Sequence, residues 1–377
     1  MIYLDNNAST KLDSEVEEAM ARAMAVFGNP SSVHGEGRLA RRLVEEAREE
    51  VAALIGAAPE EVFFTSGGTE SNALAVFGGA AAAGPRARVV ISGAEHPSVR
   101  EAAEALAGEG AVVVRVNPDP SGALDAAKVL EAAGPGPAFV SVMAANNEYG
   151  ALFPVAEIGA ALRERGGIFH TDAVQAAGRI PVSVREWGAD LATVSAHKMH
   201  GPKGTGALYI RKGLRIPART PGGGQEKKIR AGTENTGGIA GFGAAARFAR
   251  ARLREAEEIG RLRDRFERGI LERVEGARAV GAQTPRLPNT TAILFEGAPA
   301  EALLIRLDLD GVAASAGSAC SSGTLAPSPA ILSLGLTPER ARSVLRFSLS
   351  RFTTAEEIEA AVEIVSRAAS EARVQSG

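Results

Sequence analysis

The chain has 377 residues, 45% hydrophobic and 23% charged, the proportions of an ordinary globular protein with room for a sizeable core. Its 42 Lys and Arg against 45 Asp and Glu leave a formal charge of -3, which excludes a generally basic nucleic-acid binder and an acidic disordered chain. A single cysteine, Cys320, excludes an internal disulfide and a cysteine-cluster metal site, no apolar run reaches the roughly 18 residues that span a bilayer, and the opening MIYLDNNAST lacks the basic start of a secretory signal.

Residues 1–14 form an arm too short to fold alone, expected to join a second lobe or to lie across a cleft. Short apolar runs then alternate with helical patterns. Val62–Thr65 reads as a strand, followed by a helix from about Glu70. Residues 89–92 read as a strand, and Pro97 opens the next helix at its first position. Strands are expected over 112–116, 139–143, 168–171, Leu191–Ser195 and 207–211. A helix over 155–165 is started by Pro154 and ended by Gly166 and Gly167. Near-continuous apolar strands alternating with helices predict a mainly parallel, seven-stranded sheet covered on both faces.

The pattern changes after about Gly243. A long helical stretch is expected there, with Ile259, Leu262, Phe266 and Ile270 spaced by three and four and charge on the other face. Strand candidates follow at 291–295 and 344–349. A last helix begins with a capping box from Thr354 to Glu357 and buries Ile358, Val362 and Val365. This predicts a large domain over 15–250 and a smaller α/β domain from 1–14 and 251–377.

In an open parallel sheet, ligands bind beyond the carboxyl ends of the strands. Ser66-Gly67-Gly68-Thr69 stands there as a potential phosphate cradle: the glycines admit a ligand to the backbone, the helix offers free amides, and Thr69 adds a hydroxyl. Other strand ends carry Glu95-His96-Pro97, Asn146-Asn147-Glu148, Asp172 with Gln175, and Ala196-His197-Lys198. Each taken singly can be structural: a core histidine, a turn asparagine, a helix-capping aspartate, a solvated lysine. Together they supply the parts of a pyridoxal phosphate site. A lysine at a buried strand end can form a Schiff base, an aspartate can pair with a protonated pyridine nitrogen, and a helix start can hold a phosphate.

The segments TSGGTESN, AEHPSV, NNEYG, HTDAVQ, SAHKMHGPKGTGALYIR and AGTEN resemble the class V aminotransferase group of pyridoxal phosphate enzymes. GNPSSVHGEGRLAR, SAGSACSS and LRFSLSRFTTAEEI resemble the NifS/IscS-type cysteine desulfurases within it. The similarity runs from Tyr3 to about Ser366. It implies a fold-type I enzyme in which Lys198 carries the cofactor as a Schiff base and later moves the substrate Cα proton. Asp172 would bond the pyridine nitrogen and Gln175 the ring hydroxyl, with Asn147 near that edge and near the substrate. His96 would stack on the ring and move protons. Gly68, Thr69, Ser195 and His197 would hold the phosphate. Thr233 would complete that cup from a partner subunit, making the enzyme a homodimer. Arg346 would grip the carboxylate of L-cysteine in a bidentate pair.

Cys320 lies in a run of small residues, Ser318-Ala319-Cys320-Ser321-Ser322-Gly323-Thr324, without helix or strand period. A buried inert thiol is one reading of it, and a solvent-reachable thiol on a mobile loop the other. The resemblance implies the second: Cys320 attacks the sulfur of bound cysteine, leaving alanine and an enzyme persulfide for an acceptor such as an iron–sulfur scaffold. No metal site is expected, apart from passing contact of Cys320 with a cluster on such a scaffold. The cytoplasm is the expected compartment, with no membrane or direct nucleic-acid partner. Ala196, Val174 and Tyr149 depart from residues usual in relatives, and the end at Gly377 leaves scaffold docking open. The Pro221–Gly224 turn with Lys227, Lys228 and Arg230 is expected at the dimer-facing rim. The competing readings are a selenocysteine lyase, aminotransferase or epimerase of the same group, which Cys320 disfavours, and a non-catalytic regulator, which Lys198, Asp172 and Arg346 disfavour.

Overall fold

The structure is a computed structural model that describes residues 1–317 and 326–374. A two-residue strand, β1 (Ile2–Tyr3), precedes two helices that the sequence pattern did not single out, α1 (Ser14–Met24) and α2 (Gly35–Ile55). The alternating region follows as β2 (Val62–Thr65), α3 (Gly68–Ala83), β3 (Arg88–Ser92), α4 (Pro97–Gly108), β4 (Val113–Val116), α5 (Ala126–Ala133) and β5 (Ala138–Ser141). It continues with α6 (Val155–Glu164), β6 (Ile168–Asp172), β7 (Leu191–Ser195) and β8 (Gly206–Ile210). Every strand expected in this region is present, with slightly shifted ends. Beyond β5 the chain keeps bonding to β6, through Val142 N to His170 O at 3.1 Å and Ala144 N to Asp172 O at 2.9 Å.

These strands make one seven-stranded sheet in the order β2-β8-β7-β6-β5-β3-β4. Only β8 runs antiparallel to its neighbours; the other pairs are parallel. β2, β5, β6, β7 and β8 are buried at every residue, as a sheet covered on both faces requires. α3 is apolar nearly all round and lies directly on the sheet. At Gly79 a Cβ would fall 2.3 Å from the Phe139 ring, so only glycine allows that approach.

The single long helix expected after Gly243 is two helices, α7 (Thr236–Ala251) and α8 (Ala256–Arg273), separated by a 3-10 turn at Leu253–Glu255. The break sits where Arg252 donates to Asp13 at 2.8 Å and Glu15 at 2.9 Å, tying the end of α7 to the start of α1. The chain then forms β9 (Ala277–Val280), β10 (Thr290–Phe295), α9 (Ala300–Leu309) and β11 (Val312–Ala313). It ends with α10 (Pro329–Leu332), α11 (Pro338–Ala341), β12 (Val344–Ser348) and α12 (Ala355–Val374). The capping box is formed: Thr354 N donates to Glu357 Oε2 at 3.0 Å, and Glu357 N donates to Thr354 Oγ1 at 3.2 Å.

β12, β10 and β9 form an antiparallel sheet. Period-two alternation splits its side chains between two cores. Ile293, Phe295, Leu345 and Phe347 pack with Phe266, Ile270, Ile358, Val362 and Val365 from α8 and α12. Ala292, Leu294 and Val344 belong to the core of the large sheet. Arg346 shares the parity of Val344, so it faces away from the Phe347 core. The amino-terminal arm contacts both sheets. β1 pairs parallel with β11, and Asp5 bridges to Ser348. Residues 7–10 then cross to the large sheet, where Thr10 N donates to His197 O at 3.0 Å. No helix among the described residues is long and apolar enough to cross a membrane.

Candidate active site

The strand register aligns the chemistry along one sheet edge. Thr65 and Ser195 both pair with Gly206, and Asp172 pairs with Thr193. The carboxyl ends of β2, β7 and β6 therefore open on a common cleft. Gly67 enters α3 at φ 152° and offers no side-chain cap to the first-turn amides. It packs so closely on β8 that a Cβ at Gly206 would lie 2.6 Å from the Gly67 carbonyl carbon. The start of α3 thus presents uncapped N–H groups to the cleft, with the positive end of the helix dipole behind them.

A cavity of about 340 Å³ fills this cleft. Gly68, Thr69, Ser195 and His197 line one part of it; Asp172, Gln175, Lys198 and His96 line another; Asn147, from the segment after β5, and Arg346, from β12, line the remainder. Ten of the twelve residues singled out from the sequence meet here. Thr233 does not: it is exposed on the loop before α7 and lines no part of this cavity. Cys320 lies outside the described residues, while Gly317, three positions before it, lines the cavity.

Lys198 follows β7 on a 3-10 turn. Its Nζ donates to Asn7 O at 2.5 Å and Ala8 O at 2.7 Å, both carbonyls of the crossing arm. Burial, reinforced by the nearby Arg179 and Arg346 cations, pushes its pKa down to about 7. Much of the amine is therefore neutral and nucleophilic at neutral pH. Asp172 is 5% exposed; its Oδ2 accepts from Asn72 Nδ2 at 2.7 Å and its Oδ1 from Val174 N at 2.9 Å. Asn72 also donates to Ser98 Oγ at 2.8 Å and so fixes the carboxylate against α4.

His96 caps α4 through Nδ1, which receives Ser98 N at 3.2 Å. Burial first, then Lys198 and Arg100, lower its pKa against the pull of Asp172. His197 is pushed down to about 4 by burial and then by Lys198, Lys203 and Arg179, so it acts as a neutral hydrogen-bonding group. Behind His96, buried Glu95 accepts from Ser92 Oγ at 2.5 Å and Met143 N at 2.8 Å, and desolvation raises its pKa to about 8.

Arg346 is 5% exposed. Nη2 donates to Asp5 Oδ1 at 2.7 Å and Nη1 to Asn147 O at 2.9 Å, leaving Nε buried without a partner. Asn7 ties the arm to both sides of the cleft: its Nδ2 donates to Asn147 O at 3.1 Å and Thr290 Oγ1 at 2.9 Å. Asn7, Ala8 and Asn72 line the cavity and Arg179 contacts its lining residue Gln175; sequence reasoning assigned none of the four. Asn72 stood within TSGGTESN and Asn7 within the opening DNNAS, but neither bears a reactive group, and their places depend on distant strands.

The residues fit pyridoxal phosphate. Ser195 Oγ is buried at the edge of the cavity with no partner, beside uncapped amides, as a phosphate oxygen would need. A nucleophilic amine, a fixed carboxylate and an unsatisfied guanidinium nitrogen share the same space, in a volume typical of small-molecule sites.

Residues 2–361 match the class-V aminotransferase family. A cysteine desulfurase of Enterobacter agglomerans is 44% identical over 364 residues, covering 96% of this chain and 91% of that protein. A solved NifS-like protein aligns with a TM-score of 0.90 at 34% identity, covering 98% of this chain and 99% of its own. The structure of SspA in complex with cysteine aligns with a TM-score of 0.83 at 31% identity, over 94% of this chain and all, 100%, of its own. With a profile match and relatives that span nearly its whole length, the chain belongs to the class-V aminotransferase family.

Proposed function

We propose that this protein is a pyridoxal phosphate-dependent cysteine desulfurase, converting L-cysteine to L-alanine and passing the sulfur through a persulfide on Cys320. The observation that carries the proposal is the convergence of Lys198, Asp172 and Arg346 on one cavity, in a chain whose relatives bear that activity in their names. Bound at this site, pyridoxal phosphate supplies an electron sink for charge left on the substrate Cα.

The chain's own groups do the rest. The α3 amides at Gly68 and Thr69, with Thr69 Oγ1, Ser195 Oγ and neutral His197, hold the phosphate. Asp172 holds a proton on the pyridine nitrogen, and Asn72 keeps its carboxylate in place. Gln175 donates to the ring hydroxyl, and His96 covers the ring. Lys198, partly neutral at pH 7, binds the cofactor and then takes and returns the Cα proton. Arg346 takes the substrate carboxylate, with Asn147 alongside. The Cys320 thiolate attacks the substrate sulfur: an S–S bond forms, the C–S bond breaks, and the carbon is protonated to give alanine.

We divide the chain into a domain over 15–250 and a small domain of 1–14 and 251–377; one core, with Leu4, Phe266, Phe347 and Val365, draws only on the latter stretches, while Ala292, Leu294 and Val344 of the small sheet pack with the large one. The exposed Thr233 suits a role in the neighbouring site of a homodimer. An iron–sulfur scaffold in the cytoplasm is the acceptor we favour. The test is to load the purified protein with pyridoxal phosphate and supply L-cysteine with a reductant under anaerobic conditions. Alanine and sulfide in equal amounts support the reading. A yellow protein that forms neither refutes cysteine as substrate.

A further inference from the structure

Arg179 follows β6 by a short turn, four residues after Gln175, and carries a charge with no carboxylate within ion-pair distance among the described residues. Its Nη1 donates to Gln175 O at 2.9 Å and also, in a very short contact, to Gln175 Oε1; Nη2 donates to Asn6 O at 3.3 Å. Burial and the facing Arg346 push its own pKa down to about 9. The side chain is half-buried and meets only carbonyl and carboxamide oxygens, so its charge is only partly compensated.

The contacts define its role. A guanidinium can only donate, so the carboxamide end it touches must be the oxygen. The amide nitrogen is thereby forced to the other side, where Nε2 donates to Asn7 O at 3.1 Å. That carbonyl also receives Lys198 Nζ. The donor end of Gln175 and the lysine amine therefore converge on one point of the cavity. The charge acts there as well, because Arg179 Nη2 holds Asn6 O and Lys198 Nζ holds the next carbonyl, Asn7 O. Lys198 is faced by Arg179 and Arg346 as cations, by Asp172 and Asp5 as anions, and by His96 and His197; after burial, Arg179 is the largest influence depressing its basicity.

We propose that Arg179 is a positioning residue for the cofactor: it locks Gln175 as a hydrogen-bond donor into the cavity and supplies the positive field that keeps Lys198 reactive. This rests on the cofactor reading above. A purely structural Arg179, pinning the arm through Asn6 O, would leave the cofactor's spectrum unmoved.

The experiment uses pyridoxal phosphate-loaded protein and two readouts besides turnover: the pH at which the bound cofactor changes colour, and its rate of loss on dilution. Arg179→Leu should raise the colour midpoint by about one pH unit, because removing a nearby positive charge favours the protonated form. Arg179→Lys, which keeps the charge, should stay nearer the parent. Gln175→Ala should speed cofactor loss roughly tenfold in the parent, yet add little in the Arg179→Leu background, since both changes remove one interaction. Arg179→Gln keeps a donor without the charge; it should raise the midpoint but preserve the effect of Gln175→Ala, and it serves if the leucine variant does not fold. An unmoved midpoint in both uncharged variants overturns the electrostatic role. Equal effects of Gln175→Ala in the parent and leucine backgrounds overturn the positioning role. If Gln175→Ala changes nothing in a protein that keeps its colour, Gln175 does not hold the cofactor and the proposal falls with it. A protein that takes up no cofactor refutes the functional reading itself.

Discussion

Arg346→Lys tests the substrate end of the cleft. The Arg346 guanidinium has two anchored nitrogens, Nη2 at 2.7 Å from Asp5 Oδ1 and Nη1 at 2.9 Å from Asn147 O, and a buried Nε with no partner. Lysine keeps the charge and can keep the Asp5 ion pair, but it offers a point charge in place of a planar fork. A substrate carboxylate bound by the arginine would lose one charge-assisted hydrogen bond, about 1.5–3 kcal/mol. That corresponds to a fall of about 10- to 150-fold in kcat/KM. The assay is initial alanine formation across a range of cysteine concentrations, with the cofactor absorbance read in the same samples. The cofactor should stay bound, because none of the groups assigned to it changes. Equal kcat/KM in variant and parent would refute the assignment. Loss of cofactor with unchanged folding would show that Arg346 serves the cofactor instead of the substrate.

Three further outcomes follow from the site and its supports. With Lys198 pushed down to about 7, the rate at which cofactor-free protein captures pyridoxal phosphate should rise with pH to about 7 and then level off; a rate still climbing tenfold per unit at pH 9 would show an ordinary lysine. Glu95, raised to about 8 by burial, holds its proton in the folded state at pH values where the unfolded chain has lost it. Its contribution to stability is full below about 4.5 and falls away as pH rises through 8, so Glu95→Gln should gain on the parent in melting temperature between pH 5 and 8, and parallel curves would contradict this. Glu226 grips Arg48 with two contacts of 2.8 Å and accepts from Phe64 N at 2.9 Å in a buried setting; Glu226→Ala should cost about 3–5 kcal/mol in denaturant unfolding, and a loss under 1 kcal/mol would place that pair among the weak surface bridges.

The large sheet was legible because its strands are continuous apolar runs, a pattern that buried parallel strands impose on the sequence itself. Asp172, Ser195 and Lys198 were legible for the same reason: a polar residue ending such a run must lie at the sheet edge. Spatial order was not. β8 inserts antiparallel between β2 and β7, and β5 lies between β3 and β6, neither of which follows from chain order. Asn7 and Ala8 hold the lysine from an arm whose strand is two residues long and whose partners are about 300 residues away. Arg179 looked like any charge in a turn until its guanidinium was found on the Gln175 carboxamide. α1 and α2 passed unmarked although they were legible: α2 buries Ala40, Val44, Ala47 and Val51 at spacings of three and four, an amphipathic pattern as clear as that of α8. The break between α7 and α8 coincides with Arg252 meeting Asp13, a contact 239 residues apart in the chain. Thr233 depends on whatever faces this surface.

The central claim is that Cys320 receives the sulfur. The measurement is intact-protein mass after brief anaerobic exposure of the loaded enzyme to L-cysteine, with alanine and sulfide assayed in parallel, beside Cys320→Ser. The account predicts one added sulfur on the parent with an equal amount of alanine, and neither in the serine variant, which should still bind cofactor and cysteine. A serine variant that forms alanine and sulfide at the parent's rate would contradict it.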